Sequence, residues 1–177
     1  WTQLASTNIT MANTVTAGLA VCSHDNAALN TSTFDNVTTP AYVFSESEGL
    51  AFTYNSAGTT GTNTDANASG GAFIFLNATA VNDWIEFALP SANAGTYDVK
   101  MACKTYTARG TLSLSIDGVI VGSNFDEYSS GTAYPTHDFG NATLSSGSHL
   151  IRLKVTGKNA SSSAYTITAD DFTLTPQ

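Results

Sequence analysis

The alternation Thr111-Leu-Ser-Leu-Ser-Ile-Asp-Gly118 is the clearest structural signal in this sequence of 177 residues. Leu112, Leu114 and Ile116 fall on one side of an extended chain, and the intervening serines fall on the other. Asp-Gly favours a tight turn, so a second strand is expected over Val119–Val121. The stretch therefore predicts a β-hairpin with one apolar face turned towards a core.

The same period of two recurs along the chain, between turns rich in Gly, Asn, Ser and Pro. It predicts four more strands: Asp83–Leu89, Tyr97–Cys103, His149–Val155 and Tyr165–Thr175. In the third of these, Ile151, Leu153 and Val155 are predicted to face the core, and Arg152 and Lys154 are predicted to face outwards. A register change is expected in the last of them near Asp170-Asp171, and the polar stretch 55–71 is predicted to be a long loop. No segment shows capped helical spacing. The sequence therefore predicts an all-β protein, an antiparallel β-sandwich of jelly-roll type with extra N-terminal strands.

The charge of the chain limits its partners. It has 14 acidic and only 6 basic residues, which gives a formal net charge of −8, so a run of phosphates cannot be neutralised and nucleic acid is not an expected partner. The longest apolar stretches are far shorter than the roughly 20 residues that span a membrane. The chain begins at Trp1 without a signal-peptide pattern, which is expected of a processed chain or a fragment.

N-glycosylation sequons point to an extracellular or cell-surface location. Seven Asn residues precede x-Ser or x-Thr and are the candidate glycosylation sites: Asn8, Asn30, Asn36, Asn67, Asn77, Asn141 and Asn159. The alternative is that most of them are unmodified turn residues. Glycosylation is therefore a hypothesis for a secreted protein.

The two cysteines leave two interpretations open. Cys22 and Cys103 could form one disulfide at most, or they could be two buried thiols. Cys103 lies in phase with Tyr97, Val99 and Met101, so its side chain is predicted to face the core.

A domain boundary is predicted at Thr39-Pro40. Residues 1–40 contain three short strand-like pieces, which cannot bury both faces of a sheet unaided, whereas residues 41–177 suffice for one sandwich. The first forty residues are therefore expected to dock on the following domain or on another copy of the chain. The apolar residues predicted to make this assembly contact are Leu4, Ile9, Met11, Val15, Leu19, Val21, Phe34 and Val37.

Seven short motifs follow one another between residues 41 and 177. They are Glu46-Ser-Glu48, Ala68-Ser-Gly-Gly71, Asp83-Trp-Ile-Glu-Phe87, Ala94-Gly-Thr-Tyr97, Arg109-Gly-Thr-Leu-Ser-Leu-Ser-Ile-Asp-Gly118, Gly147-Ser-His149 and Asp170-Asp-Phe172. In order and spacing they resemble the non-catalytic β-sandwich modules related to carbohydrate-binding families 6 and 35. Residues 18–26 and 33–37 resemble instead the last strands of a concanavalin-like or laminin-G-like jelly roll.

The first of these resemblances implies a structural Ca²⁺. Related modules hold the ion with a Glu pair and an Asp near the C-terminus, which Glu46, Glu48 and Asp171 match here, with Asp170 as a neighbour. The two glutamates alternate on a predicted strand and should point to the same side, and carboxylate oxygens are the ligands that Ca²⁺ prefers. The alternative is that these acids are solvated on an edge strand.

Sugar binding is expected to use an aromatic platform with polar side chains beside it. The candidates are Trp84, Tyr106, Tyr128 and Tyr134, with Arg109, Asp126, Lys158 and Asn159 as polar partners. The alternative is that these aromatic side chains brace their own loops. A glycan on Asn159 would compete with a binding role there.

Two functions of different class fit this sequence, and neither is enzymatic. Ser23-His24-Asp25 cannot form a catalytic triad because consecutive residues of an extended segment point in alternating directions, and no catalytic residue is predicted. The main hypothesis is a structural subunit of an extracellular filament, in which the N-terminal strands add to a neighbouring copy. The alternative is a glycan-binding module cut from a polysaccharide-degrading enzyme, with polysaccharide as its partner.

Overall fold

The computed structural model describes residues 42–177, and within them the chain forms twelve strands and two short 3-10 helices. The 3-10 helices are Ser47–Gly49 and Ser69–Gly71. The strands are β1 Val43–Glu46, β2 Phe52–Asn55, β3 Thr60–Thr64, β4 Ala72–Leu76, β5 Trp84–Ala92, β6 Gly95–Ala102, β7 Gly110–Ile116, β8 Val119–Asp126, β9 Thr136–Leu144, β10 Gly147–Lys158, β11 Ile167–Ala169 and β12 Asp171–Pro176.

The strands form a four-stranded sheet in the order β1-β12-β6-β9 and a five-stranded sheet in the order β2-β5-β10-β7-β8. A small third sheet has the order β11-β4-β3, and every strand pair is antiparallel. The all-β sandwich predicted from the alternation is confirmed.

Side-chain alternation places the core between the two larger sheets. Leu112 and Leu114 of β7 are fully buried, as are Ile151 and Leu153 of β10. Leu114 pairs with Leu153 in the ladder between these two strands. β7 also pairs with β8 across the Asp117-Gly118 turn, so the hairpin predicted from the opening stretch is confirmed, and its apolar face forms part of the core.

Two predictions about chain path need correction. Residues 55–71 are not one long loop, because β3 lies within them and pairs with β4. The strand predicted over Tyr165–Thr175 is two strands, because at Asp170 the chain passes from the three-stranded to the four-stranded sheet. The register change expected there is therefore a change of sheet.

Cys103 is fully buried, and it has no disulfide partner within residues 42–177. Burial raises the pKa of its thiol well above the usual value. The second cysteine, Cys22, lies outside residues 42–177.

The predictions for the N-terminal region lie outside the part of the chain that the structure describes. They comprise the strands within residues 1–40, their likeness to a jelly roll and the eight apolar assembly residues, and they stay predictions. Within residues 42–177, no helix is long and apolar enough to span a membrane.

Candidate metal centre and glycan-facing loops

Four acidic residues meet where β1 ends and β12 begins. Glu46 is the last residue of β1, and Asp171 is the first residue of β12. Ser47 ties the two chain segments together, because its N–H donates to the Asp170 carbonyl at 2.8 Å and its hydroxyl donates to the Ala169 carbonyl at 2.6 Å. The fold thereby brings the first and last strands of the described region to one acidic cluster.

Three of these carboxylates are arranged as a cation site would require. Glu46, Asp170 and Asp171 each offer one oxygen, and the three oxygens lie within 4.8 Å of one another. Oxygens bound to one Ca²⁺ at 2.3–2.6 Å lie at most about 5 Å apart. Asp170 and Asp171 are only 3% and 9% exposed, so water reaches them poorly.

The hydrogen bonding of the cluster is incomplete. Oε2 of Glu46, Oε2 of Glu48 and Oδ1 of Asp170 are buried, and no hydrogen bond reaches them from the described residues. Leaving a buried polar atom without a partner costs about 1–3 kcal/mol, and more when the group is charged. A bound cation would remove this cost at all three oxygens together, and hard carboxylate oxygens suit Ca²⁺ best.

A tight turn covers the cluster. The Ser69 N–H donates to Oδ2 of Asp170 at 3.0 Å, and the Ser69 hydroxyl donates to Oε1 of Glu46 at 2.7 Å. Gly70 has a φ of +60°, and a Cβ on it would lie 2.7 Å from Oε1 of Glu48 and 3.2 Å from Cδ of Glu46. A glycine therefore lets the chain turn over the two converging glutamates.

Strand alternation was predicted to bring Glu46 and Glu48 to the same side, and this reason is wrong. Glu48 lies in the first 3-10 helix, not on a strand with Glu46, so strand alternation does not bring them together. They converge because the chain turns immediately after β1. Asp170 was predicted only as a neighbour of the Ca²⁺ ligands. In the structure its carboxylate is the most buried of the cluster.

Burial and mutual repulsion disfavour ionisation within the cluster. The pKa of Asp170 is raised to about 6, chiefly by burial and also by the charges of Asp171 and Glu46, while the hydrogen bond from Ser69 opposes the rise. Burial also raises the pKa of Asp171, again with a contribution from Glu46. Such raised values are expected where carboxylates crowd together without a counter-charge.

The loops around residues 106 and 128 bring together several predicted sugar-binding residues. Tyr106 and Tyr128 form a parallel bridge, and Tyr106 is 45% exposed. Asp126 accepts hydrogen bonds from the Tyr128 N–H at 3.0 Å and from the Asn159 side chain at 2.9 Å. We call Tyr106, Asp126, Tyr128 and Asn159 the loop cluster. The cluster thus contains an exposed tyrosine whose loop is bridged to the loop that carries a hydrogen-bonded polar pair.

Lys158 and Tyr134 make contacts of their own. Lys158 lies 5.1 Å from the centre of the Tyr165 ring and donates to the Ser162 carbonyl at 3.0 Å. The Tyr134 hydroxyl donates to Asp65, which also accepts from the Lys104 ammonium. The hydrogen bond from Lys104, and to a lesser extent the one from Tyr134, holds the pKa of Asp65 well below its usual range. For Tyr134, this contact agrees with the alternative prediction that the aromatic side chain braces a loop.

Arg109 lies beneath the loops and not on their surface. It is 9% exposed, and its Nε donates to the Lys104 carbonyl at 2.8 Å, so we assign it a supporting role. Its neighbour Glu127 is completely buried and accepts from the Thr168 N–H at 3.0 Å. Burial raises the pKa of Glu127 well above its usual value, although the Arg109 charge opposes this. Glu127 was missed, but strand alternation between Asp126 and Tyr128 could have indicated its inward direction.

Trp84 lies away from the loop cluster, on the outer face of the five-stranded sheet. It pairs in register with Lys154, and its ring lies 4.2 Å from the Arg152 guanidinium. The sequence had grouped Trp84 with the tyrosines of the loops, and the structure does not bring them together.

Four of the seven sequons lie in residues 42–177. Asn67, Asn77 and Asn141 are exposed, whereas Asn159 is half-buried and its amide is engaged by Asp126. Asn8, Asn30 and Asn36 lie outside the described residues. Glycosylation stays a prediction at all seven sites.

A scan with protein-family models finds no match to the chain, and a search of curated proteins finds none either. Solved structures do match. Part of a xanthan lyase from Paenibacillus aligns with 83% of this chain at 36% identity and a TM-score of 0.70. The chain spans only 14% of the length of that lyase.

Two further matches are complete modules. A family 36 carbohydrate-binding module of a multidomain xylanase, from the hindgut metagenome of Trinervitermes trinervoides, aligns over 98% of its length with 78% of this chain, at 19% identity and a TM-score of 0.53. A family 36 module solved with calcium and xylotriose aligns over 98% of its length with 75% of this chain, at 19% identity and a TM-score of 0.51. The sandwich of residues 42–177 therefore has the fold of carbohydrate-binding modules, as the sequence motifs had indicated.

Proposed function

We propose that residues 42–177 are a non-catalytic glycan-binding module of a polysaccharide-active protein that works outside the cell. The observation that carries this proposal is the loop cluster, in which the exposed Tyr106 is bridged to Tyr128, two residues from Asp126 of the hydrogen-bonded pair Asp126 and Asn159. An aromatic face packs against the C–H groups of a sugar, and the amide and carboxylate bind its hydroxyls. The likeness to part of a xanthan lyase supports a role beside polysaccharide-processing domains.

We also propose that the acidic cluster holds one Ca²⁺, with Glu46, Asp170 and Asp171 as ligands and Glu48 within reach. The buried carboxylate oxygens that lack a hydrogen-bond partner among the described residues support this assignment. The ion would join the start of the module to its end and so stabilise the folded state. Its proposed role is structural, and the sugar-facing chemistry stays with the loop cluster.

Affinity gel electrophoresis tests glycan binding. The protein is run through native gels that contain xanthan, xylan or no polysaccharide, and retardation by at least one polymer is expected. Tyr106→Ala should abolish most of the retardation, because it removes the exposed platform. Tyr42→Ala is the matched control, since Tyr42 is 58% exposed but precedes β1.

The proposal fails if no polysaccharide in a broad panel retards the wild-type protein. It also fails if the Tyr42 and Tyr106 variants lose retardation equally, because the effect would then not belong to the loop cluster. Thermal unfolding of both variants shows whether any loss reflects misfolding.

A further inference from the structure

A second polar surface covers the outer face of the five-stranded sheet. Ile85 and Phe87 of β5 face the core, so Trp84 and Glu86 face outwards. Strand register extends this outer face across the sheet in two rows. The first row contains Thr53, Glu86, Arg152, Ser115 and Ile120, and the second contains Asn55, Trp84, Lys154 and Ser113.

Arg152 is fixed at the middle of this face. Its guanidinium stacks 4.2 Å from the Trp84 ring, and its Nε donates to Oε2 of Glu86 at 2.8 Å. A guanidinium has five N–H donors, and within residues 42–177 only the one on Nε has a partner. The side chain is still 39% exposed. Trp84 and Glu86 therefore hold the guanidinium in place while most of its donors are unused.

The neighbouring groups are also unpaired. Among the described residues, the Lys154 ammonium has no acidic partner and the hydroxyls of Ser113 and Ser115 make no hydrogen bond. These side chains line a cavity of about 190 Å³ together with Arg152 and Ile120. Two cations and two hydroxyls thus surround a space large enough for part of a sugar residue.

We propose that this face binds the carboxylate of an acidic polysaccharide, one whose sugar units are uronic acids. A planar guanidinium matches a carboxylate with two parallel hydrogen bonds, and a nearby ammonium adds a point charge. The serine hydroxyls can bind the hydroxyls of the same sugar. This site is separate from the loop cluster and is independent of the proposed function there.

The charge distribution favours this ligand over a neutral one. The chain carries a net charge of −8, and other cations are already engaged: Lys100 with Asp98 and Asp138, and Lys104 with Asp65. Arg152 and Lys154 place two positive charges on one face, and among the described residues of the two rows only Glu86 is acidic. An otherwise acidic protein would repel an acidic polymer, so these two cations determine where it can bind.

Isothermal titration with a galacturonate tetramer tests the proposal at low salt, with its fully methyl-esterified form as the neutral counterpart. The wild-type protein should bind the acid and bind the ester at least about tenfold more weakly, since a lost charged contact of roughly 1.4 kcal/mol is tenfold in Kd. Arg152→Gln and Lys154→Gln should each weaken binding of the acid by a similar factor. Lys100→Gln removes the same charge from the other sheet and should leave the Kd unchanged.

Several outcomes would overturn the proposal: no binding of the acid, equal binding of acid and ester, or equal losses in the Lys100 and Lys154 variants. Arg152→Gln could unfold locally because it removes the stacking on Trp84. Lys154→Gln removes no side-chain hydrogen bond or ion pair with the described residues, so this variant is not expected to unfold locally. Tyr106→Ala should retain galacturonate binding, which separates this site from the loop cluster.

Discussion

The main-chain N–H of Ser69 donates to Oδ2 of Asp170 at 3.0 Å, across 101 residues of sequence. This bond leaves Oδ1 of Asp170 as a buried acceptor without a partner among the described residues. Ser69 therefore orients the carboxylate and does not neutralise it. An oriented, buried and unneutralised carboxylate is what a metal ligand requires before the ion arrives.

Removal of calcium should lower the melting temperature of the module. Since only the folded chain assembles the cluster, Ca²⁺ at about a hundred times its Kd should add roughly 2.7 kcal/mol of stability, or about 8 °C in melting temperature. Asp170→Asn should melt at one temperature with or without EDTA. Asp138→Asn, which alters an exposed acid on β9, should keep the wild-type response when followed by circular dichroism. An unchanged wild-type melting temperature in EDTA would refute the calcium assignment.

The chelated protein should become less stable as pH rises from about 4 to 7. The pKa of Asp170 in the folded state is about 6, above its ordinary value of 3.8, because of burial, so the folded state binds the proton more tightly than the unfolded state. Stability from this group is present below pH 4 and is lost as the pH passes through 6. Urea unfolding in EDTA at pH 4.5 and 7 measures the free energy of unfolding of the wild-type protein and of Asp170→Asn, and the difference between them is the contribution of Asp170. If the stability of the variant fell with pH as steeply as that of the wild type, the prediction would be wrong.

The sequence predicts the sandwich well because alternation reports directly which side of a strand is buried. Leu114 and Leu153 were both placed in the core by this pattern, and both are fully buried. The strand β3 escaped prediction because Thr60-Gly-Thr-Asn-Thr64 has no apolar alternation. It is held by main-chain hydrogen bonds to the apolar strand β4, and such pairing leaves no pattern in the side chains.

The candidate sites were less predictable because they depend on contacts between distant segments. Glu46 and Asp171 could be grouped through a family resemblance, but nothing local indicated that Ser69 would lie over them. Arg152 was identified only as an outward-facing strand residue. Its contact with Trp84 depends on the register between β5 and β10, which a single sequence does not specify.

Asp65→Asn should weaken calcium binding although Asp65 is not in the acidic cluster. The turn that carries Ser69 is closed by a hydrogen bond from the Asp65 N–H to the Gly71 carbonyl at 2.9 Å. Lys104 and Tyr134 anchor the carboxylate of Asp65. Neutralising it loosens the turn, so a Ca²⁺ Kd about threefold higher is expected, equivalent to roughly 0.6 kcal/mol.

Titration calorimetry with Ca²⁺ measures this effect. Asp126→Asn is the control, because Asp126 belongs to the loop cluster and its hydrogen bonds go to Tyr128 and Asn159 instead of to the turn. It removes the same charge and should leave the Ca²⁺ Kd within error of wild type. Equal Kd values for the Asp65 variant and the wild type would show that the turn does not depend on this anchor.

Gly122→Ala should be strongly destabilising because two of the sandwich's edge strands touch at this residue. Gly122 of β8 has a φ of +64°, and a Cβ on it would lie 2.0 Å from the Phe139 carbonyl oxygen of β9. The position of the Cβ is fixed by the backbone of β8, and the carbonyl oxygen belongs to the main chain of β9, so the clash can be relieved only if the strands separate. Separation would also disturb the stacking of Phe125 on His137, whose ring centres lie 4.1 Å apart. A loss of about 4 kcal/mol is expected from overpacking and backbone strain together.

Gly118→Ala separates the backbone strain from the steric clash. Gly118 also has a positive φ, of +82°, but a Cβ there meets no atom within 4 Å. This variant should therefore lose only about 1 kcal/mol, the cost of the left-handed conformation. Urea unfolding of the two variants measures both losses under the same conditions. Equal losses would mean that β8 and β9 can move apart without cost, and the close contact at Gly122 would then not contribute to the stability of the sandwich.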